Sequence, residues 1–152
     1  MSPDDLSPCP QCGAAPLDGK TCKDKYGEIL ALEFQEPAVF GAVHHITVTC
    51  YNLQHPDFFS DEAIEWMETS LRKIIEEGLS PAELRKSAGK RTGEGMKVRR
   101  RTAPAEVPRR SRWSMTVMDV RADNAEVYVR DIRAWARSIL DDLSGDDCRQ
   151  AS

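Results

Sequence analysis

Apolar positions recur at helical spacing along most of this chain, which predicts an all-α protein. Segment 20–35 has apolar residues near this spacing and ends before Pro37, which cannot continue a helix. Segment 39–54 contains a β-branched run that also permits a strand. A helix is favoured there because four residues form one stripe at i, i+4, i+7 and i+11, namely His44, Val48, Tyr51 and His55.

Two more helices are predicted from their end signals. Ser60 is a suitable N-cap for a helix over 61–77, and Gly78 stands where a left-handed residue would end that helix. The run Ser-Pro-Ala-Glu at 80–83 has the pattern of a capping box with proline at the first helical position. This run predicts a short helix from 81 to about 88.

The C-terminal part is predicted to hold a short helix beginning at 116–119 and a long helix over 124–143. The apolar face of the long helix comprises Val127, Ile132, Trp135, Ile139 and Leu143. We therefore predict a small helical bundle of four to six helices in a single domain. The expected divisions of this domain (1–152) are a zinc knuckle at 1–19, a helical hairpin plus helices at 20–88, a mobile basic loop at 89–112, C-terminal helices at 113–145 and a tail at 146–152.

The net charge of −4 conceals a basic block between Arg85 and Arg112. This block has eleven Lys/Arg and two Glu, a local charge of +9, so the rest of the chain carries −13. The candidates for anion binding are Arg99, Arg100, Arg101, Arg109 and Arg110. Nucleic acid is one candidate partner but is not favoured, because the block has little aromatic content and no recognition-helix pattern. A solvated loop is the simpler interpretation.

Cysteine usage and hydropathy indicate where the protein works. The chain has five cysteines, an odd number, and three of them cluster near histidines, which suits metal binding in a reducing cytoplasm. No apolar run approaches the roughly 20 residues of a membrane span, and segment 1–6 lacks the features of a signal peptide. We therefore expect a cytoplasmic protein without a membrane partner.

The sharpest chemical signal is the N-terminal run Cys9-Pro-Gln-Cys12-Gly, which is followed by Cys22 and by three histidines. Two cysteines at this spacing form a knuckle whose thiolates converge on one tetrahedral cation, and the glycine lets the backbone turn. Cys50 and Cys148 are expected outside the site, with Cys50 as a small core residue. The sequence therefore predicts a zinc site.

Hairpin geometry selects the remaining two ligands. If helices 20–35 and 39–54 run antiparallel, residue 22 lies opposite residue 54 or 55, so Cys22 and His55 meet at the open end of the hairpin. His44 would lie roughly 16 Å from His55 along a continuous helix, so one ion cannot bind both. The predicted zinc ligands are Cys9, Cys12, Cys22 and His55. The alternative is that Cys22 is a surface thiol and His55 only ends a helix before a proline.

A second polar group has two interpretations. His44 and Tyr51 share a helix face, and Glu33 should lie opposite His44 across the hairpin. Such a group, with Gln54 nearby, is a candidate for acid–base chemistry or for a second metal. The simpler interpretation is a buried histidine that donates to a carboxylate for packing.

The run Gly-Ala-Val-His-His-Ile-Thr-Val-Thr-Cys-Tyr-Asn-Leu-Gln-His-Pro at 41–56, with the N-terminal knuckle and the lone Cys22, resembles an uncharacterised bacterial family catalogued as a domain of unknown function. That family has a CPxCG knuckle, a third cysteine and a VHxxTVxxYxLQHP signature. The matching positions are Cys9, Cys12, Gly13, Cys22, Val43, His44, Thr47, Val48, Tyr51, Leu53, Gln54, His55 and Pro56. The resemblance implies that the signature residues form a shared feature, and it implies no activity. It does not extend to the basic loop.

Three functions fit these observations. The favoured one is a small zinc-binding helical protein whose Cys3His site is structural and whose role is interaction with a protein or an anionic ligand. The second is a metal-dependent enzyme with an open zinc position near His44, Tyr51 and His55. Its thiolate-rich ligand set argues against it, because thiolates lower the Lewis acidity of zinc. The third is an accessory protein that binds nucleic acid through the arginine-rich loop.

Overall fold

The computed structural model describes residues 7–84, 86 and 112–151. Four longer helices make up most of this part of the chain: α1 (Cys22–Gln35), α2 (His44–Gln54), α3 (Asp61–Glu77) and α4 (Ala125–Ala151). Three short 3-10 turns accompany them, at Gly41–Val43, Pro56–Phe58 and Val117–Asp119. The prediction of an all-α fold is confirmed, since the described residues contain no strand beyond one isolated bridge.

Helix α1 begins at a capping box that the sequence prediction overlooked. The Thr21 hydroxyl accepts a hydrogen bond from the Asp24 amide, and the Asp24 carboxylate accepts one from the Thr21 amide. Only three side chains of the helix are buried: Cys22, Ile29 and Glu33. Phe34 is one of the apolar residues whose spacing predicted this helix, yet it is 72% exposed, while Glu33 faces the core. Hydropathy alone does not identify a buried carboxylate.

The second segment forms a helix and not a strand, as favoured from the sequence. This helix, α2, begins at His44 after the Gly41–Val43 turn rather than near residue 39. Its threonines are accommodated because the hydroxyls of Thr47 and Thr49 donate to carbonyls four residues earlier, at 3.1 and 2.7 Å. A Cβ at Gly41 would lie 3.0 Å from the Glu33 carbonyl oxygen, so this turn brings the two helices close together.

Helix α3 has the predicted boundaries and both predicted end residues. The Ser60 hydroxyl accepts from the Ala63 amide at 3.1 Å, and Gly78 has a left-handed φ of 71°. Residues 81–84 are helical, and the Ser80 hydroxyl accepts from the Glu83 amide at 3.2 Å. The end of that helix near 88 lies outside the described residues. So do residues 89–111 of the basic loop, with Arg99, Arg100, Arg101, Arg109 and Arg110.

Helix α4 extends past its predicted end at 143, so the tail predicted from residue 146 is wrong at least as far as Ala151. A single glycine costs a helix only about 1 kcal/mol, and the helix continues through Gly145. The predicted core residues Ile132, Trp135 and Ile139 are fully buried, but two others of the predicted face are not. Val127 and Leu143 are only partly buried, and the residues that fill the core are Tyr128, Ile132, Trp135, Ala136, Ile139 and Leu140.

The core lies among α2, α3 and α4, which pack against one another. Helix α1 lies beside this group and contacts α2 and the short turn at Val117–Asp119. That turn begins with a capping box between Thr116 and Asp119, in agreement with the predicted short helix. Within the described residues, none of the helices has the length and apolar character that crossing a bilayer requires.

Candidate metal centre

One donor atom from each of Cys9, Cys12, Cys22 and His55 lies within 4.8 Å of the other three. The structure thus brings together the four residues that the sequence predicted as zinc ligands. They come from three separate segments: the N-terminal knuckle, the first turn of α1 and the residue that follows α2. Cys12, Cys22 and His55 are 1%, 6% and 9% exposed, and Cys9 is partly exposed.

The knuckle owes its shape to backbone hydrogen bonds. The Gly13 amide donates to the Cys9 carbonyl at 2.8 Å, and the Cys9 amide donates to the Ala14 carbonyl at 3.0 Å. The Cys12 amide points at the Cys9 sulfur at 3.5 Å. Gly13 has a φ of 77°, a left-handed conformation in which a side chain would be strained. The glycine after the second cysteine is thus required by the turn that makes both sulfurs converge.

A tight turn then returns the chain to α1. Leu17 and Lys20 exchange two backbone hydrogen bonds of 3.0 Å, and the two residues between them, Asp18 and Gly19, both have positive φ. The knuckle is also attached to the Pro56–Phe58 turn that follows α2, because the Gln11 side-chain oxygen accepts a hydrogen bond from the Asp57 amide at 3.2 Å. Gln11 was missed by the sequence analysis, since no spacing rule identifies a side chain that bonds to backbone 46 positions away.

The His55 ring is oriented as a metal ligand requires. Its Nδ1 lies 2.7 Å from the Tyr51 carbonyl oxygen. A carbonyl only accepts, so Nδ1 carries a hydrogen, and in the neutral ring Nε2 has the lone pair that a metal ligand needs. Nε2 lies 3.5 Å from the Cys22 sulfur. A tetrahedral zinc with ordinary Zn–S and Zn–N bond lengths separates a sulfur ligand from a nitrogen ligand by about 3.5 Å.

Aromatic rings fix this orientation further. The Tyr51 ring stacks on His55 with centroids 3.9 Å apart, and Tyr26 stacks on the other face of Tyr51 at 3.7 Å. The two donors Cys22 and His55 thus each have a tyrosine four residues away, Tyr26 and Tyr51 respectively. Burial raises the pKa of Tyr26 to about 12 and raises that of Tyr51 further. Tyr51, a weak catalytic candidate, is placed here as a ring that holds His55, and Tyr26 was not foreseen.

The Cys12 and Cys22 thiols are joined by a hydrogen bond, and a bound cation would take the place of the proton between them. A hydrogen bond from the Cys12 thiol lowers the pKa of Cys22 to about 4, and His55 acts in the same direction. The same bond, together with burial, raises the pKa of Cys12. Cys50 is fully buried, and its pKa is raised by burial alone, so it lies outside the cluster as expected.

At the other end of α2 lies a carboxylate network, made of Glu33, His44, Thr47 and Tyr128. Glu33 is 2% exposed. Its Oε1 lies 2.8 Å from His44 Nδ1, and its Oε2 accepts from the hydroxyls of Thr47, at 2.7 Å, and of Tyr128. The expected pairing of Glu33 with His44 is present. The tyrosine of the group is Tyr128 of α4 and not Tyr51, because the Tyr51 ring stacks against Tyr26 and His55 at the metal cluster.

Gln54 is placed in the core rather than at a reactive surface. It is 0% exposed. Its Nε2 donates to the Met115 carbonyl at 2.8 Å, and its Oε1 accepts from the Trp135 indole at 3.1 Å. The amide thereby joins α2 to α4 and to the segment before the short turn.

Taken together, these features define a small all-α protein with a Cys3His cluster that can hold a metal ion. The chain belongs to the Family of unknown function (DUF5946), whose sequence model matches residues 7–144. The predicted membership in a domain-of-unknown-function family is confirmed, while the signature motif and a bacterial source stay predictions. No curated protein and no solved structure matches the chain.

Proposed function

We propose that this protein binds one zinc ion through Cys9, Cys12, Cys22 and His55, and that the ion is structural. The observation that carries the proposal is the convergence of three sulfurs and one correctly oriented imidazole nitrogen within 4.8 Å. Three thiolates and a nitrogen in a tetrahedral arrangement favour zinc over the harder cations. Four protein donors also fill the tetrahedron, which is typical of structural sites.

The ion's role follows from how little else holds the N-terminal segment. In residues 7–20, Cys12 is the only buried side chain. Burial of apolar surface therefore contributes little to fixing this segment on the helices. A zinc ion bonded to two knuckle cysteines, to α1 and to the end of α2 would supply that free energy, as metals do in other small domains with few buried residues.

For the protein as a whole, we propose a cytoplasmic accessory role in which the metal-ordered surface contacts a protein or an anionic ligand. The reduced thiols of a zinc site suit a reducing compartment. No open metal position is needed for such a role, and the family match carries no activity.

A metal-dependent enzyme is the second candidate. A cavity of ≈ 590 Å³ lined by Cys9, Cys22 and Asp24, among others, adjoins the cluster and offers a route for a substrate. This candidate requires one of the four donors to be replaced by water. His44 would not assist, because α2 spans His44–Gln54 and separates its first residue from His55 by roughly 16 Å.

Nucleic-acid binding through the arginines of the basic loop is the third candidate. It predicts an affinity that falls steeply with salt and is lost when Arg99, Arg100 and Arg101 are neutralised.

The deciding experiment measures metal content and X-ray absorption of the purified full chain. We expect one zinc per chain with three sulfurs and one nitrogen. An oxygen in the first shell would favour the enzyme instead, and a chain that binds no metal would refute the proposal. Cys12→Ala should lose the zinc, whereas Cys50→Ala, the matched change at a buried cysteine outside the cluster, should retain it.

A further inference from the structure

We propose that His44 is a nucleophilic imidazole, oriented by Glu33, that accepts acyl groups from small-molecule esters. This site lies at the opposite end of α2 from the metal cluster, and it does not depend on whether zinc is bound. The contacts that carry the proposal are those of the carboxylate network.

The exposed fractions of the Glu33 and His44 side chains distinguish this pair from one that serves only to pack the core. The Glu33 side chain is 1% exposed, whereas that of His44 is 42% exposed. The simpler interpretation of the sequence required a buried histidine, but the carboxylate is the buried partner and the imidazole reaches solvent. In the neutral ring, Nδ1–H donates to Glu33, which leaves the lone pair on Nε2. No described residue forms a hydrogen bond with Nε2.

Packing alone does not explain a buried carboxylate here. Removing a carboxylate from water costs several kcal/mol, and an apolar side chain would fill the same space without that cost. Both other donors, Thr47 and Tyr128, bond to Oε2, so Oε1 is left for His44. Three helices thus cooperate to hold one carboxylate oxygen against one imidazole nitrogen. In serine hydrolases a carboxylate fixes the tautomer and orientation of the reactive histidine in this manner.

One aromatic side chain beside His44 suits the apolar part of an ester. The Phe34 ring lies 5.5 Å from the imidazole, tilted by 54°, and its exposed surface offers an apolar contact to the acyl or leaving group.

The reaction balances without a further reagent. Nε2 attacks the carbonyl carbon, the bond from that carbon to the leaving oxygen breaks, and the alkoxide or phenolate departs. The acyl-imidazolium that results carries its positive charge beside Glu33. Water then adds to the acyl carbon, and the acid is released with one of the water's two protons. The other proton neutralises the alkoxide or phenolate that departed, and His44 returns to its neutral form.

The test uses p-nitrophenyl acetate with the zinc-loaded full chain, and p-nitrophenolate release is followed by absorbance. We expect the second-order rate constant for p-nitrophenyl acetate cleavage by the wild-type protein to exceed that for cleavage by free N-acetylhistidine. His44→Gln should lower the rate constant at least about tenfold, a modest share of what a positioned histidine typically contributes. His45→Gln, the neighbouring change, should stay within about twofold of wild type. Equal rates in His44→Gln and wild type would overturn the proposal, as would a wild-type rate no higher than that of N-acetylhistidine.

Glu33 is a positioning residue, and its role has a separate readout. Glu33→Gln should lower kcat about tenfold and leave KM nearly unchanged, because the imidazole loses the carboxylate that orients it while its contacts to the substrate remain. If Glu33→Gln does not fold, Thr47→Val removes one donor from the same carboxylate and should lower the rate with His44 in place. A folded Glu33→Gln with the wild-type kcat, or with a change in KM alone, would refute the positioning role.

Discussion

Replacing Gln54 with leucine tests whether this residue belongs to the core, as its contacts indicate, or to a reactive site. The side chain is 0% exposed and makes two hydrogen bonds, to the Met115 carbonyl and to the Trp135 indole. Leucine has a similar volume, so the change removes the hydrogen bonds with little change in packing. It leaves one buried donor and one partly buried acceptor without their partner.

The expected loss of stability follows from those two groups. Trp135 is 0% exposed, so its indole N–H cannot recover a bond from water and should cost the full 1–3 kcal/mol, roughly, of an unsatisfied buried group. Met115 is only partly buried, so water can replace part of the bond to its carbonyl. The total should be about 2–4 kcal/mol. Against a typical free energy of unfolding of about 5–15 kcal/mol, this is a large effect.

Urea unfolding of the zinc-saturated protein measures the change, with Gln35→Leu as the control. Gln35 is exposed at the end of α1, and its replacement should alter stability by no more than about 0.5 kcal/mol. Combining Gln54→Leu with Trp135→Phe should show a coupling of at least about 0.5 kcal/mol. A loss below about 1 kcal/mol for Gln54→Leu, or the absence of coupling, would show that the amide does not hold α2 against α4.

Further predictions concern the metal ligand, two glycines and one ion pair. Tyr51→Leu should weaken zinc binding about tenfold in a competition titration with a chelator, because the ring that orients His55 is lost; unchanged affinity would exclude that role. Gly27→Ala should raise the melting temperature, since the position is helical and open, whereas Gly78→Ala should lower it, since Gly78 has a φ of 71°; shifts of the same sign would contradict this. Hydrogen bonds from Arg121 lower the pKa of Asp131, so this carboxylate stabilises the fold above its unfolded pKa and ceases to do so as the pH falls through its folded value. Wild type should thus be more stable than Asp131→Asn near neutral pH, and the difference should shrink below about pH 4, as melting temperatures across pH 2–6 will show.

Those parts of the fold that depend on local chemistry could be predicted from the sequence. The ends of α3 follow from Ser60 and Gly78, whose capping roles depend only on neighbouring backbone. The cluster of Cys9, Cys12, Cys22 and His55 followed from spacing plus the register of one helical hairpin. In both cases the determining interactions act over a few residues or across a single turn.

Features that depend on distant partners were missed. Glu33 was recognised as a partner for His44, but nothing local indicates that Tyr128, 95 positions away, completes its hydrogen bonds. The role of Gln54 requires Trp135, which is 81 positions away. The extension of α4 beyond residue 143 was missed for a different reason, because the apolar pattern that located the helix ends at Leu143. The helix nevertheless propagates through Gly145 to Ala151, since one glycine costs it only about 1 kcal/mol.

Helix α1 is attached to the rest of the protein in an unusual manner. Of its three buried residues, Cys22 belongs to the metal cluster and Glu33 to the carboxylate network, so Ile29 is its one buried apolar contact. The two polar attachments are eleven positions apart, roughly 16 Å along the helix. One would depend on a metal ion and the other on hydrogen-bond donors, so either can be broken while the other persists. Removal of the metal would leave the N-terminal end of α1 held by Ile29 and by the stacking of Tyr26 on Tyr51, whereas the carboxylate network would still hold its C-terminal end.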